Sequence, residues 1–191
     1  MTATLPDMTA TLPIRVEVNG RLYERRVEPR LILADFLRED LGLKGTHLSC
    51  EHGFCGNCNV LLDGVSVRSC LMFAVQANGH SLETVESLAG PDGELNDLQR
   101  AFSEHHALQC GFCTPAMLLT AKEFLRDHPG QTDERAIREA ISGVLCRCTG
   151  YQQIVEAIQS AAEGKSVSPG QSVAAEGESV SAGQTVAAEG T

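Results

Sequence analysis

The segment Cys50-Glu-His-Gly-Phe-Cys55-Gly-Asn-Cys58, with Cys70 a short strand–turn–strand later, organises the chain. Its spacing, C-x4-C-x2-C and then a more distant cysteine, is the signature of a plant-type [2Fe–2S] site. Each of two irons completes a tetrahedron with two thiolates beside two bridging sulfides, so four cysteines are required, and three come from one tight loop. Gly53 and Gly56 fall inside that loop, where the backbone must curl and turn N–H groups towards an anionic group. Cys50-Glu-His52 is also a C-x-H fragment, but no C-x2-H completes a Rieske-type pair, and His52 reads as a loop residue.

Working outward, Ile14 to Val18 alternates apolar and charged residues, Asn19-Gly20 is a type I′ turn signal, and Leu22 to Val27 resumes as a second strand. Leu33, Phe36, Leu37 and Leu41 recur at helical spacing and predict a short amphipathic helix leading into the cysteine loop. Asn59 to Leu62, Asp63-Gly64 and Val65 to Ser69 predict a second hairpin that delivers Cys70, and Ser81 to Val85 a last strand. After the turn-rich Ala89-Gly-Pro-Asp-Gly93 the period changes. Helices are expected around Leu95–Phe102, Met117–Leu125, Ala136–Val144 and Ile154–Ala162, which suggests a small helical bundle. The division expected is a leader 1–13, a first domain 14–88, a linker 89–94, a helical domain 95–163 and a repetitive, disordered tail 164–191. Met1 to Pro13 holds a near-tandem repeat and reads as a flexible leader, or as a sign that Met8 is an alternative start.

The eight cysteines of the 191-residue chain fall in two groups, the second being Cys110, Cys113, Cys146 and Cys148. Thr114-Pro115 reads as an N-cap followed by Pro at the first helical position, and Thr149-Gly150-Tyr151 leads into the last helix. Two helix N-termini are therefore expected to face a second anionic cluster, favouring its more negative, reduced state. Two Zn(Cys)4 sites are the alternative reading of eight cysteines. His105-His106 reads as the end of the first helix of the bundle, not as a metal site. A net charge of −10 and 4% aromatic residues with no Trp argue against nucleic-acid binding. No apolar run approaches the roughly 20 residues that span a bilayer. Without a visible secretory signal, the expected location is the cytoplasm, where clustered cysteines point to metal or redox chemistry before disulfides. No Gly-rich nucleotide loop, G-x-S-x-G or acid–base pair is present, so the chain shows no substrate chemistry of its own.

Taken together, Cys50-x4-Cys55-Gly-x-Cys58, Asp63-Gly64, Ser69-Cys70, Gln109-Cys110-Gly-Phe-Cys113-Thr-Pro115 and Cys146-Arg-Cys148-Thr-Gly150-Tyr151 resemble the small iron–sulfur subunit of the molybdenum hydroxylases. This is the xanthine dehydrogenase, aldehyde oxidoreductase and aerobic carbon monoxide dehydrogenase family, and the resemblance runs from about Ile14 to Ala162. It implies an α+β chain: an N-terminal β-grasp, ferredoxin-like domain and a C-terminal four-helix bundle, each with one [2Fe–2S] cluster. It implies a large partner subunit with a molybdopterin-type cofactor, where substrate is hydroxylated, and a medium FAD subunit, in a heterotrimer that dimerises. By the same resemblance Gln109 hydrogen-bonds the pterin, and Cys148 lies near the pterin amino group while ligating iron. Electrons run from molybdenum through the Cys110/113/146/148 cluster, then the Cys50/55/58/70 cluster, to FAD.

Two positions depart from the usual pattern: Asn59 stands where Thr is common, and Ala116 where Gly is common. Ala116 is the better helix former, so no loss is expected there, whereas Asn59 invites a fine shift in cluster potential. Ser69 to Gly79 looks most like carbon monoxide dehydrogenase-type small subunits, with similar stretches in relatives acting on N-heterocycles and ketones. The competing function is a stand-alone two-cluster ferredoxin-like carrier, against which the second, helical half argues.

Overall fold

The alternation in Ile14–Val18 becomes a strand with one dry face. In the computed structural model, which describes residues 10–164, β1 spans Leu12–Val18 and buries Ile14, Val16 and Val18 while Arg15 and Glu17 face out. The strand thus opens inside the stretch expected as leader; residues 1–9 and the tail from Lys165 lie outside the described residues. Asn19 and Gly20 both have positive φ (53° and 75°), as a type I′ turn requires, and return the chain as β2, Arg21–Val27. Asp63 and Gly64 (48° and 83°) do the same between β3, Asn59–Leu62, and β4, Val65–Arg68. β5, Ser81–Glu83, stops earlier than expected and gives way to a 3-10 turn, Val85–Ser87. The sheet order is β2-β1-β5-β3-β4. β1 and β5 run parallel and the other pairs antiparallel.

The helix expected over Leu33–Leu41 is not one α-helix. A single α turn, α1 (Leu33–Asp35), runs into a π-helical turn, Phe36–Asp40. The wider turn closes where the Leu41 N–H reaches the Phe36 carbonyl at 3.1 Å. It keeps Leu33, Phe36 and Leu37 in the sheet's core. The Arg38 guanidinium then donates to the Lys44 and Thr46 carbonyls (2.9 and 2.7 Å), fixing the approach to Cys50.

Four helices follow: α2 (Asp97–Glu104), α3 (Thr114–Asp127), α4 (Glu134–Ile141) and α5 (Gln152–Ala162). Asn96 caps α2 by accepting from the Gln99 N–H, and Asp133 caps α4 by accepting from the Ala136 N–H. Their apolar faces meet around Phe102, Met117, Leu119, Ile137, Ile141, Ile154 and Ile158. None of the helices among the described residues is long and apolar enough to cross a membrane.

The two halves meet along β3 and β4. Successive strand residues point to opposite faces, so Val60 enters the sheet's own core while Leu61 enters the helical core. Burying a side chain of that size is worth roughly 1.5–3 kcal/mol. The outer edge of β4 is closed by α3, which blunts an otherwise open strand. The Ser66 N–H donates to Glu123 (3.1 Å), Arg126 donates to the Gly64 carbonyl (2.7 Å), and Lys122 pairs with Glu83.

Candidate metal centres

The first cysteine loop is built from left-handed turns. Glu51, Gly53 and Gly56 have φ of 56°, 80° and 73°, which winds the chain around a small volume and points its N–H groups inward. The Cys55 N–H lies 3.3 Å from the Cys50 sulfur. Backbone N–H groups, that of Cys55 foremost and those of His52 and Phe54 with it, pull the Cys50 thiol down to about 6. Such donors stabilise negative charge on sulfur. Cys70 arrives on a 3-10 turn, Ser69–Leu71, after β4. Ser69 pins it by donating from its hydroxyl and its N–H to the Cys58 carbonyl (2.7 and 3.3 Å). Burial, then the neighbouring Cys58 thiol, pushes Cys70 up to about 11.

The second set is assembled from two distant segments. Cys113 is itself the N-cap of α3, with Thr114 already helical. The reading of Thr114 as the cap is therefore corrected: its buried hydroxyl has no partner among the described residues. Thr149–Tyr151 lead from Cys148 into α5, as expected, and Tyr151 caps that helix in the left-handed conformation (φ 72°). α3 thus begins at a cysteine and α5 three residues after one. The Tyr151 hydroxyl also ties the loop down, accepting from the Cys146 N–H (2.9 Å) and donating to the Val144 carbonyl (3.3 Å). His105 closes α2 as its C-cap, as expected of the end of the first bundle helix.

The sulfurs stand in pairs. Cys110 and Cys148 are 3.4 Å apart. Cys113 lies within hydrogen-bond reach of Cys146, Cys70 of Cys58, and Cys50 of Cys55. In the second set the Phe112 N–H, then the Cys148 thiol, lowers Cys110, while Cys148 is raised by donating to Cys110. Burial, then the Cys146 thiol, drives Cys113 up to about 12. Burial works upward on Cys146 too, but the hydroxyl and N–H of Thr149 outweigh it and its thiol is lowered. One thiol up and one down is the behaviour of two sulfurs sharing a proton, which a thiolate-binding metal displaces. Among the described residues no group of three or more His, Cys, Asp or Glu is placed to hold a single metal ion. Two pairs per site fit a binuclear cluster, in which each iron takes two protein sulfurs, better than one zinc needing four around one point.

The loops also touch each other. The Leu145 N–H, beside Cys146, donates to the Cys55 carbonyl at 2.8 Å. His47 stacks on Phe112 (centroids 4.8 Å apart), and its Nδ1 lies 2.7 Å from the Phe112 carbonyl, between Cys110 and Cys113. Gly56 lies so close to the helical half that a Cβ there would stand 2.0 Å from the Gly143 oxygen. Gln109 is exposed next to Cys110, which with Cys148 is exposed as well.

Asn59 does something the sequence reading missed. It is 1% exposed, and its amide donates to the Ser66 and Thr120 hydroxyls (3.0 Å each) while accepting from Arg68 (2.8 Å). Arg68 in turn donates to the Gly143 carbonyl (2.7 Å). The position joins the two halves. Its only sequence signal was a polar residue opening an otherwise apolar strand.

Comparison with known proteins agrees with this geometry. Residues 16–88 match the 2Fe-2S iron-sulfur cluster binding domain family and residues 84–159 the [2Fe-2S] binding domain family. The chain is 60% identical to the 6-hydroxypseudooxynicotine dehydrogenase complex subunit beta of Paenarthrobacter nicotinovorans, over 78% of its own length and 92% of that protein. The chain belongs to the small iron–sulfur subunits of the molybdenum hydroxylases. Within this family it is 55% identical to the caffeine dehydrogenase subunit gamma of Pseudomonas sp. (strain CBB1), covering 84% of this chain and 93% of that one. Among solved structures, quinoline 2-oxidoreductase from Pseudomonas putida 86 superposes with a TM-score of 0.77 at 50% identity, over 80% of this chain and 94% of that one. The chain carries two [2Fe–2S] clusters, one per matched domain.

Proposed function

We propose that this chain is the electron-transfer subunit of a molybdenum-containing hydroxylase, relaying electrons from a molybdopterin centre on a large partner to FAD on a medium partner. Bound clusters supply one-electron redox chemistry; the chain's own residues hold them, insulate them and set their spacing. Cys50, Cys55, Cys58 and Cys70 hold the flavin-side cluster in the β-grasp domain, 14–88. Cys110, Cys113, Cys146 and Cys148 hold the pterin-side cluster in a four-helix bundle, 95–163, after the linker 89–94. Gln109 and Cys148 face the pterin. The observation that carries the reading is the Leu145 N–H to Cys55 carbonyl bond, which locks a ligand loop of one site onto that of the other. The bond fixes the spacing of the two sites, as a relay between two partners requires, and co-purification with larger subunits separates this reading from a stand-alone two-cluster carrier.

The partners are a large and a medium subunit in a heterotrimer that dimerises, in the cytoplasm, where eight free cysteines suit metal binding. Relatives named for caffeine, 6-hydroxypseudooxynicotine and quinoline favour an N-heteroaromatic substrate on the large subunit over carbon monoxide. The test is purification of the native complex, reduction, and EPR. Two [2Fe–2S] signals with co-purifying larger subunits are expected, and Cys148→Ser removes one signal while leaving the other. A colourless protein holding zinc would overturn the reading. Turnover of N-heteroaromatics against carbon monoxide, aldehydes and purines tests the substrate class.

A further inference from the structure

Asn57 belongs to the first cysteine loop by sequence, between Gly56 and Cys58, yet it shares a cavity with all four cysteines of the second set. The cavity, about 500 Å³, lies between the two loops and is walled by Cys55 and Asn57 on one side and by Cys110, Cys113, Cys146 and Cys148 on the other. Asn57 is 6% exposed. Its Oδ1 is buried with no hydrogen-bond partner among the described residues. The backbone explains the reach: Gly56, left-handed and packed on Gly143, turns the next residue towards the helical half.

An amide whose Oδ1 is buried without a partner costs free energy that an apolar side chain would not. A loop enclosing only its own cluster gains nothing from an amide turned towards its neighbour. The partner that satisfies it follows from chemistry. A primary amide offers two N–H donors, and a [2Fe–2S] group with its thiolates presents acceptor sulfurs with net negative charge. Oδ1 is the enclosed atom, which leaves the Nδ2 donors as the end of the amide that can face the cavity and its sulfurs. Arg147 lines the same cavity but stands exposed, where water and salt screen its charge.

We propose that Asn57, from the first cluster's loop, donates a hydrogen bond from Nδ2 to a sulfur of the second cluster and so raises the second cluster's reduction potential. The bond strengthens as negative charge grows on the sulfur, so it favours the reduced state. Asn57 is then a positioning residue through which one loop tunes the other site. The inference rests on the reading of Cys110, Cys113, Cys146 and Cys148 as the second cluster's ligands.

The test uses the assembled complex, an EPR-monitored redox titration, and Asn57→Leu and Asn57→Asp. Asn57→Leu keeps the branched heavy-atom skeleton and removes the donors. At fixed applied potential it should lower the second cluster's reduced-to-oxidised ratio about tenfold, which is roughly 59 mV for one electron. Asn57→Asp should lower it further by adding like charge, and the first cluster should shift less in both variants. A shift confined to the first cluster, or none, overturns the proposal. If neither variant retains both clusters, wild-type complex labelled with side-chain 15N-asparagine decides. A 15N coupling on the second cluster's signal supports the bond, and its absence rejects it. Failure of the ligand assignment shows separately, as Cys148→Ser leaving both signals intact.

Discussion

On the proposed ligand assignment, the two cysteine sets hold the same kind of group by opposite means. The first is a single curled stretch with Cys50 at its rim, stabilised by its own N–H groups and only later joined by Cys70. The second is brought together by the packing of helices: Cys113 caps α3 inside the core, while Cys146 and Cys148 hang from a loop pinned by Tyr151. A local site survives damage at a distance, whereas an assembled one depends on the core that positions it. The largest expected effect breaks the comparison at this point. Cys113→Ser should abolish the second EPR signal and also lower the thermal midpoint of the helical half. Cys50→Ser should abolish the first signal with little change in that midpoint. Equal melting of the two variants, followed by circular dichroism, would show that the two sites are equally local.

Next in size is Gly56→Ala, which strikes the junction between the loops. The alanine Cβ would meet the Gly143 oxygen, and the left-handed backbone adds strain on the order of 1–3 kcal/mol. Gly143 and Val144 lead directly into Leu145 and Cys146, so the second ligand loop must move away. We expect a loss of several degrees in thermal midpoint and a weaker spin–spin interaction between the two reduced clusters. A midpoint loss with the interaction unchanged would mean that the strain is absorbed elsewhere.

Asn59→Ala and Arg68→Met are smaller cuts at the same seam. Each removes hydrogen bonds to partly buried or exposed groups, at a cost of about 1 kcal/mol in denaturant unfolding. Because Asn59 and Arg68 share one hydrogen bond, the double variant should cost less than the sum of the two. Additive losses would show that the Asn59–Arg68 link contributes nothing beyond its separate contacts.

These residues also mark how far the sequence could be read. The cysteine loop, the two type I′ turns and the four helices were legible because their signals are local: ligand spacing, Asn-Gly and Asp-Gly pairs, apolar periodicity. The seam was not, because it depends on which edge of the sheet meets which helix. Thus Asn59 stood out in the sequence only as a departure from the usual Thr, and its bridging of the two halves did not show. The π turn at Phe36–Asp40 was hidden for a related reason. Leu33, Phe36, Leu37 and Leu41 satisfy a helical period, and the pull of Arg38 on the Lys44 and Thr46 carbonyls, which accompanies the wider turn, lies beyond it.

The smallest effect sharpens the contrast from the sheet side. Asp63, at the tip of the β3–β4 turn, is held below its ordinary value first by the Ser81 N–H (2.9 Å), then by His80, whose Nδ1 is 2.6 Å away. A carboxylate depressed in the folded state contributes stability above its unfolded value, and that stability is lost as the pH falls through the folded value. The pair is half exposed, so the contribution is small. Asp63→Asn should therefore be slightly less stable than the parent at pH 7 and equal to it near pH 3, read as converging urea midpoints. Because Asp63 ties the turn to β5 and its hydrogen-bond partners among the described residues are His80 and Ser81, the convergence should appear in amide exchange of β3 and β5 and not in α3. A gap that persists at pH 3 would mean that Asp63 acts through turn geometry alone, independent of its charge.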